Sequence, residues 1–436
     1  MSSEPSHIVA SGDVARIEVR SGSNLAGRIW VPGAKNSVLK LMAASLLADG
    51  ECEIQNVPAI LDVRIMSDLL RSLGLVIDDT SAGRLAIAGG PVDSVEPPTE
   101  LVGRIRASIN LLGPLLSRYG RVRLTLPGGD DFGTRPIDMH IAGLESMGAR
   151  FDFGEHHLEA VTSGLHGADI TFDFPSVGAT ENIVTAAVLA SGTTVLNGAA
   201  REPEVVDLCR FLVGMGAEIE GVGSPTLTIH GSSGRVLGPV SHSVVPDRIQ
   251  AATYIASVAV CGGRLEIVDA RSGDMEMFLR RCSEMGLGIE QLDADGLEGI
   301  VVTSDVRLRA VDVQTLPYPG IATDYKPLVI TMLSVADGSA VVTENLYPGR
   351  FRYVDELNRM GANIRTDGHH ALIRGVGALT AASVQAHDIR AGAAMVVAGL
   401  AARGTTTIVG VDHIDRGYDD LVGRLNAVGA QIIRLG

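Results

Sequence analysis

The sequence predicts a two-domain, inside-out α/β barrel assembled from six repeated units, with helices buried and sheets outside. Three observations carry that expectation. Six openers, Lys35, Arg106, Gly178, Arg248, Asp324 and Arg390, each start an Ala/Leu/Val-rich stretch. Each stretch stops on a glycine 14 or 15 positions later, at Gly50, Gly120, Gly192, Gly263, Gly338 and Gly404. A second apolar helix follows and ends on Gly74, Gly148, Gly216, Gly286, Gly361 and Gly429, at intervals of 74, 68, 70, 75 and 68 residues. The first helix of a unit is apolar nearly all round, as at 391–402, and a helix without a polar face belongs inside a domain.

The elements of a unit follow in a constant order. After the first helix comes a short strand, at 52–56, 121–126, 193–196, 264–268, 340–343 and 405–409. The second, amphipathic helix reads clearly at 65–73, 206–215, 277–285, 354–360 and 421–428, and alternating segments such as 226–230 and 371–374 then predict hairpin strands. Residues 15–31 read as strand but precede the first opener, so they are expected to complete the last unit. The chain then crosses between domains near Ala34 and again near Ser241, giving domain I at 35–241 and domain II at 15–34 plus 242–436. Two crossings make a hinge with a cleft. Residues 1–14 are polar, lack the apolar segment of a signal peptide and are expected to be disordered.

Length and composition agree with two ordinary domains. At 436 residues the chain exceeds one typical core, and 46% hydrophobic residues supply ample surface to bury. A formal net charge of −15 argues against nucleic acid as a partner, because polyanion binders present a basic face. Anionic small substrates stay open if the cations are gathered locally. Cys52, Cys209, Cys261 and Cys282 lack metal-ligand spacing, sit in apolar contexts and read as reduced core thiols. No run approaches the ~20 apolar residues of a membrane span, so a cytoplasmic protein is expected. The pattern carries no signature of a particular oligomeric state.

The openers point to the chemistry. Gly33-Ala34-Lys35-Asn36-Ser37 puts a lysine and an amide at a helix start, where unsatisfied N–H groups and the dipole favour anions; a solvated loop lysine is the plain alternative. Arg106-Ala107-Ser108 places a guanidinium against the dipole preference, which a bound anion or a salt bridge would repay. Segment 126–140, LPGGDDFGTRPIDMH, carries extra residues, three glycines, Asp130, Asp131 and Arg135; it suits a lid bringing a proton donor over a substrate, or is a surface insertion. Asp324 is the acid among mostly basic openers and fits a base on a hydroxyl or a helix cap. Arg350, Asp388-Ile389-Arg390 and His413 to Tyr418, with Arg416, add further guanidiniums near helix starts.

At these residues the chain resembles the enolpyruvyl transferases. The likeness runs from about Ile17 to the C-terminus and rests on GAKNSVLKL, RASINLLGPL, LPGGDDFGTRPIDMH, FPSVGATEN, AAREPEVVDL, VPDRI, ATD, DIRAGA and HIDRGY, in that order. It implies transfer of the enolpyruvyl group of phosphoenolpyruvate to a hydroxyl of a uridine nucleotide, foremost the 3-OH of UDP-N-acetylglucosamine, without cofactor or metal. By resemblance, Lys35, Arg135 and Arg416 hold the phosphate, Arg350 and Arg390 hold the carboxylate, and Asp324 is the base. Asp130 stands where many members have a cysteine and would protonate the methylene carbon, which implies resistance to the epoxide antibiotic fosfomycin. The nucleotide would lie against Arg135, Pro136, Ile137, Asp138, Ser176, Val177 and Gly178, with Asn36 near the sugar, Arg106 near the phosphates, and Asp324 and Leu346 completing the site.

Some positions depart from the family pattern. Ile321-Ala322-Thr323-Asp324-Tyr325-Lys326 stands where Phe-Pro-Thr-Asp, a Leu or Met, then Gln is expected; Tyr347-Pro348-Gly349 replaces Phe-Glu and a small or amide residue; Asn110 interrupts an apolar run. A cation at Lys326 beside the base would meet a phosphate that the amino sugar lacks. This motivates an alternative acceptor, the ribose 3′-OH of UMP or a related nucleotide in nucleoside-antibiotic biosynthesis. A non-catalytic nucleotide-binding regulator is a third reading, disfavoured by Lys35, Asp324, Arg390 and Arg416.

Overall fold

A computed structural model describes residues 15–125, 136–294 and 296–436. The repeat is visible first in the backbone. All twelve glycines that end the predicted helices adopt positive φ, between 71° and 117°, a region open to glycine and costly to residues with a Cβ.

The strands form six small sheets, one per unit, and a two-stranded pairing of Leu379–Thr380 with Ala402–Arg403. Five of the six have four strands in one pattern. The strand after the buried helix, such as Ser339–Thr343, pairs antiparallel with a hairpin strand on one side and parallel with an incoming edge strand on the other. Arg121–Thr125 belongs to a three-stranded sheet with His157–Val161 and Arg150–Phe153. Ser241–Ser243 closes the pattern of the first unit by pairing parallel with Gly50–Gln55, and Leu25–Trp30 does the same for Gly263–Val268. Arg16–Arg20 lies between Thr405–Val409 and Ile432–Leu435, so the N-terminal strand fills the hairpin position of the last unit.

This mixed α/β architecture differs from the expectation in one respect. Among the described residues no sheet closes on itself, so there is no barrel. The reason is local: each sheet is only three or four strands wide, and among the described residues no strand hydrogen-bonds one unit's sheet to another's.

The buried apolar residues gather in two large clusters. One contains side chains from Ala34 to Val245, the other Ile17 to Val31 together with Ile249 onward. Helices Arg248–Cys261, Lys326–Ser334 and Ile389–Ala401 pack on one another within the second cluster. The two chain crossings run side by side: Ala34 N donates to Val245 O at 2.8 Å, and Asp247 N to Pro32 O at 2.8 Å. Gly33 is required there, because a Cβ on it would lie 1.8 Å from the Asn56 carbonyl oxygen.

Two openers do not begin regular α-helices. Arg106 starts a 3₁₀ segment, Arg106–Leu111, before helix Leu112–Tyr119, and Asp324 lies in Thr323–Tyr325 before helix Lys326–Ser334. Proline decides the boundary. Pro114 and Pro327 have no N–H to give, so each sits in the first turn of its helix, where none is needed. Cys52, Cys209, Cys261 and Cys282 are unpaired, and burial pushes the Cys209 and Cys261 thiols up to about 12. Among the described residues no helix is long and apolar enough to cross a membrane.

Candidate active site

The helix starts converge on a cleft of about 510 Å³. Of the residues singled out in the sequence, Lys35, Asn36, Arg106, Pro136, Ser176, Val177, Gly178, Asp324, Leu346, Arg350, Arg390 and Arg416 line it. Asp130 and Arg135 fall in 126–135, outside the described residues. Ile137 instead packs against the first apolar cluster and Asp138 opens helix Asp138–Ser146; neither is among the lining residues, because the turn into that helix directs them elsewhere.

The cations are organised in pairs, each around one carboxylate. Asp62, in the first turn of helix Leu61–Ser72 and 2% exposed, accepts from Lys35 Nζ at 3.0 Å and from Arg416 Nε at 2.9 Å. Asp324 accepts from Arg350 Nη1 at 2.7 Å and from Arg390 Nε at 3.1 Å. Burial opposes ionisation of Asp324, yet Arg350 and Arg390 outweigh it and hold the carboxyl far below the usual carboxylate range. Arg390 Nη1 is buried and has no hydrogen-bond acceptor among the described residues. Such a donor is costly unless an anion reaches it.

The sequence offered a helix cap as the plain alternative for Asp324. The geometry excludes it, since both carboxylate oxygens are spent on guanidiniums and no side chain caps that turn. Caps come from elsewhere. Asp247 accepts from Ile249 N and Gln250 N and also reaches Lys35 N at 3.3 Å, while Asp388 accepts from Arg390 N and Ala391 N. These aspartates offset the unfavourable placement of Arg248 and Arg390 at helix starts.

Two further clusters were not anticipated. Arg248 makes a bidentate pair with Glu204, at 2.9 and 3.2 Å, and lies over the rings of Tyr318 and Tyr325. Glu181, 1% exposed, accepts from Asn110 Nδ2 at 2.8 Å and pairs with Lys40 at 3.4 Å. Burial pushes the Glu181 carboxyl up, against the pull of Lys40 and Asn110. Burial also pulls the His140 imidazole down to about 4, with Arg106 adding to the effect; it is neutral, and Asn182 donates to its Nδ1.

The placement of Lys326 corrects a sequence expectation. Its side chain is fully buried, bonded to Arg350 O at 2.6 Å and paired with Glu344 at 2.9 Å, and it does not line the cleft. Helix geometry turns position 326 toward the core, so no substrate phosphate meets this ammonium. Asn110 bonds to Glu181, but unlike Lys326 both residues line the cleft. Asp62 and Glu344 were missed because nothing in a single sequence marks a carboxylate whose cations lie 18 positions away, as Lys326 does from Glu344, or 27 and 354, as Lys35 and Arg416 do from Asp62.

Residues 19–425 match the family model described as EPSP synthase (3-phosphoshikimate 1-carboxyvinyltransferase). The chain belongs to the EPSP synthase/enolpyruvyl transferase family. It is 46% identical over 421 residues, covering 96% of this chain and 99% of that protein, to UDP-N-acetylglucosamine 1-carboxyvinyltransferase of Mycobacterium bovis. The protein of the same description from Acidiphilium cryptum is 44% identical over 421 residues, with the same coverage. Among solved structures, the enolpyruvyl transferase NikO from Streptomyces tendae matches with a TM-score of 0.86 and 25% identity, over 97% of this chain and 99% of that one. EPSP synthase from Acinetobacter baumannii matches with a TM-score of 0.74 at 18% identity, over 97% of this chain and 100% of that one, a likeness of fold.

Proposed function

We propose that this enolpyruvyl transferase joins the enolpyruvyl group of phosphoenolpyruvate to the 3-OH of UDP-N-acetylglucosamine by addition and elimination, releasing phosphate. The observation that carries the reading is the pair of two-cation clamps in one cleft, Lys35 with Arg416 and Arg350 with Arg390, in a chain 46% identical to a protein of that activity. Phosphoenolpyruvate has two anionic ends, and the cleft has two cation pairs.

The carboxylate of phosphoenolpyruvate takes Arg350 and Arg390, displacing Asp324 from both. Asp324 then loses the neighbours that depress its pKa and becomes able to accept the proton of the attacking hydroxyl. The hydroxyl oxygen bonds to C2 while C3 gains a proton, a role assigned to Asp130. The tetrahedral product then loses a C3 proton and the C2–O bond to phosphate, with Lys35, Arg416 and Arg135 stabilising the departing charge. Asn36, Arg106, Pro136, Ser176, Val177, Gly178 and Leu346 hold the nucleotide; Ile137 and Asp138, assigned to it by resemblance, do not line the cleft. Two domains of three units each, at 35–241 and at 15–34 plus 242–436, are supported by the two apolar clusters, although these change over between Val31 and Ala34 and between Val245 and Ile249, a few residues beyond 241 at the second crossing. The reaction belongs to peptidoglycan precursor synthesis in the cytoplasm.

The UMP reading rested on the replacements at 321–326 and 347–349 and on Asn110; Lys326 is turned into the core, Ala322, Asn110 and Tyr347 line the cleft, and the 46% identity favours the sugar nucleotide. Phosphate release measured with phosphoenolpyruvate and either UDP-N-acetylglucosamine or UMP tests the choice. Turnover with the sugar nucleotide and none with UMP is expected; the reverse would overturn the assignment.

A further inference from the structure

Behind the Arg350 wall lies an ion pair whose own side chains do not line the cleft but bond to residues that do. Glu344, at the end of the strand Ser339–Thr343, is 0% exposed and collects five donors. Oε1 accepts from Thr315 Oγ1 at 2.7 Å, Leu346 N at 2.8 Å and Tyr347 N at 3.1 Å. Oε2 accepts from Thr323 Oγ1 at 2.7 Å and Lys326 Nζ at 2.9 Å. Lys326 Nζ also donates to Arg350 O at 2.6 Å and sits 3.9 Å from the centre of the Phe351 ring. Thr323 Oγ1 in turn accepts from Arg350 Nη1 at 3.3 Å.

We propose that Lys326 and Glu344 are positioning residues for the reaction, joining the Asp324 turn, Arg350 and the Leu346–Tyr347 backbone into one rigid block. The inference rests on the reading of Asp324 and Arg350 given above. Stability alone does not account for the pair. A buried ion pair is often no more stabilising than an apolar one of equal volume, and a lysine in the first turn of a helix opposes the dipole. What the pair supplies is geometry: every one of its bonds ends on a segment that bears, or adjoins, a cleft residue. Displacing a catalytic group by about 1 Å can cost on the order of a hundredfold in rate.

The test compares Lys326→Met, Lys326→Gln, Thr323→Val and Arg350→Met in the full chain, with circular dichroism and thermal melts to establish folding. Lys326→Met is expected to raise KM for phosphoenolpyruvate about tenfold or more while KM for UDP-N-acetylglucosamine moves less than about threefold. Lys326→Gln, whose amide still donates, is expected to recover most of that loss. Thr323→Val, nearly isosteric, keeps the test open if Lys326→Met does not fold, and is expected to shift the same constant in the same direction. A folded Lys326→Met or Thr323→Val enzyme with unchanged kinetics, or one raising both KM values equally, overturns the inference while Arg350→Met still raises KM for phosphoenolpyruvate. If Arg350→Met leaves that constant unchanged, the carboxylate site itself is misassigned and the inference falls with it.

Discussion

Asp324→Asn separates the two roles that the structure gives this carboxylate. In the folded protein it receives charge-assisted bonds of 2.7 and 3.1 Å from Arg350 and Arg390, and its side chain keeps 23% of its surface open to the cleft. Phosphoenolpyruvate must break both bonds before it can use the same guanidiniums. Each is worth about 1.5–3 kcal/mol, and the bonds made to substrate return most of that. The amide of asparagine keeps one acceptor oxygen without the carboxylate charge and turns an N–H toward the other guanidinium, so the internal competition falls by about 1–2 kcal/mol and substrate binding tightens roughly 5- to 30-fold. Turnover moves the other way. Loss of the base lowers kcat by about 10²–10⁴.

Calorimetric titration of phosphoenolpyruvate into the enzyme saturated with UDP-N-acetylglucosamine measures the first effect, and steady-state phosphate release the second. Because chemistry is slow in the variant, its KM approaches a dissociation constant and should fall with it. A variant that binds phosphoenolpyruvate more weakly would refute the displacement argument. A kcat within about threefold of the unaltered enzyme would refute the base.

The same carboxylate sets an acid limit on stability. Its folded pKa lies below its unfolded one, so its contribution is present above about pH 4 and is lost as pH falls toward the folded value. Between pH 5 and 3 the melting temperature should therefore drop less steeply in Asp324→Asn than in the unaltered protein, as read by calorimetry. Fosfomycin should leave the intact mass unchanged, because a carboxylate at 130 attacks an epoxide poorly, and Asp130→Cys should gain the mass of one adduct. In the core, Gly113→Ala would bring a Cβ within 2.4 Å of Thr185 Oγ1 and 2.5 Å of Asn182 O. Forcing helices Leu112–Tyr119 and Val177–Ala187 apart should cost about 1–3 kcal/mol in chemical denaturation, and an unchanged stability would refute the close contact.

Much of the site was legible because helix starts leave a local trace. Lys35, Asp324 and Arg390 were marked by their place at the head of apolar stretches, and the cleft does gather them. Lys326 misled for a related reason. Nearness to Asp324 in sequence suggested nearness in chemistry, but successive residues in a helical turn point about 100° apart, and two such steps, about 200°, turn Lys326 away from the cleft and into the core. Glu181 and Glu204 left no trace, since an acid inside a helix usually marks an exposed face.

From the order of its residues, this chain determined its repeat, its glycine stops and the helices that must be buried. Each of these depends on properties of a few consecutive residues: periodicity, a missing Cβ, a missing N–H. Tertiary structure decided which carboxylate each cation meets, placing Asp62 between Lys35 and Arg416 and Asp324 between Arg350 and Arg390. Those pairings follow from how separately folded units pack, and electrostatic attraction acts over ångströms in space without regard to distance along the chain.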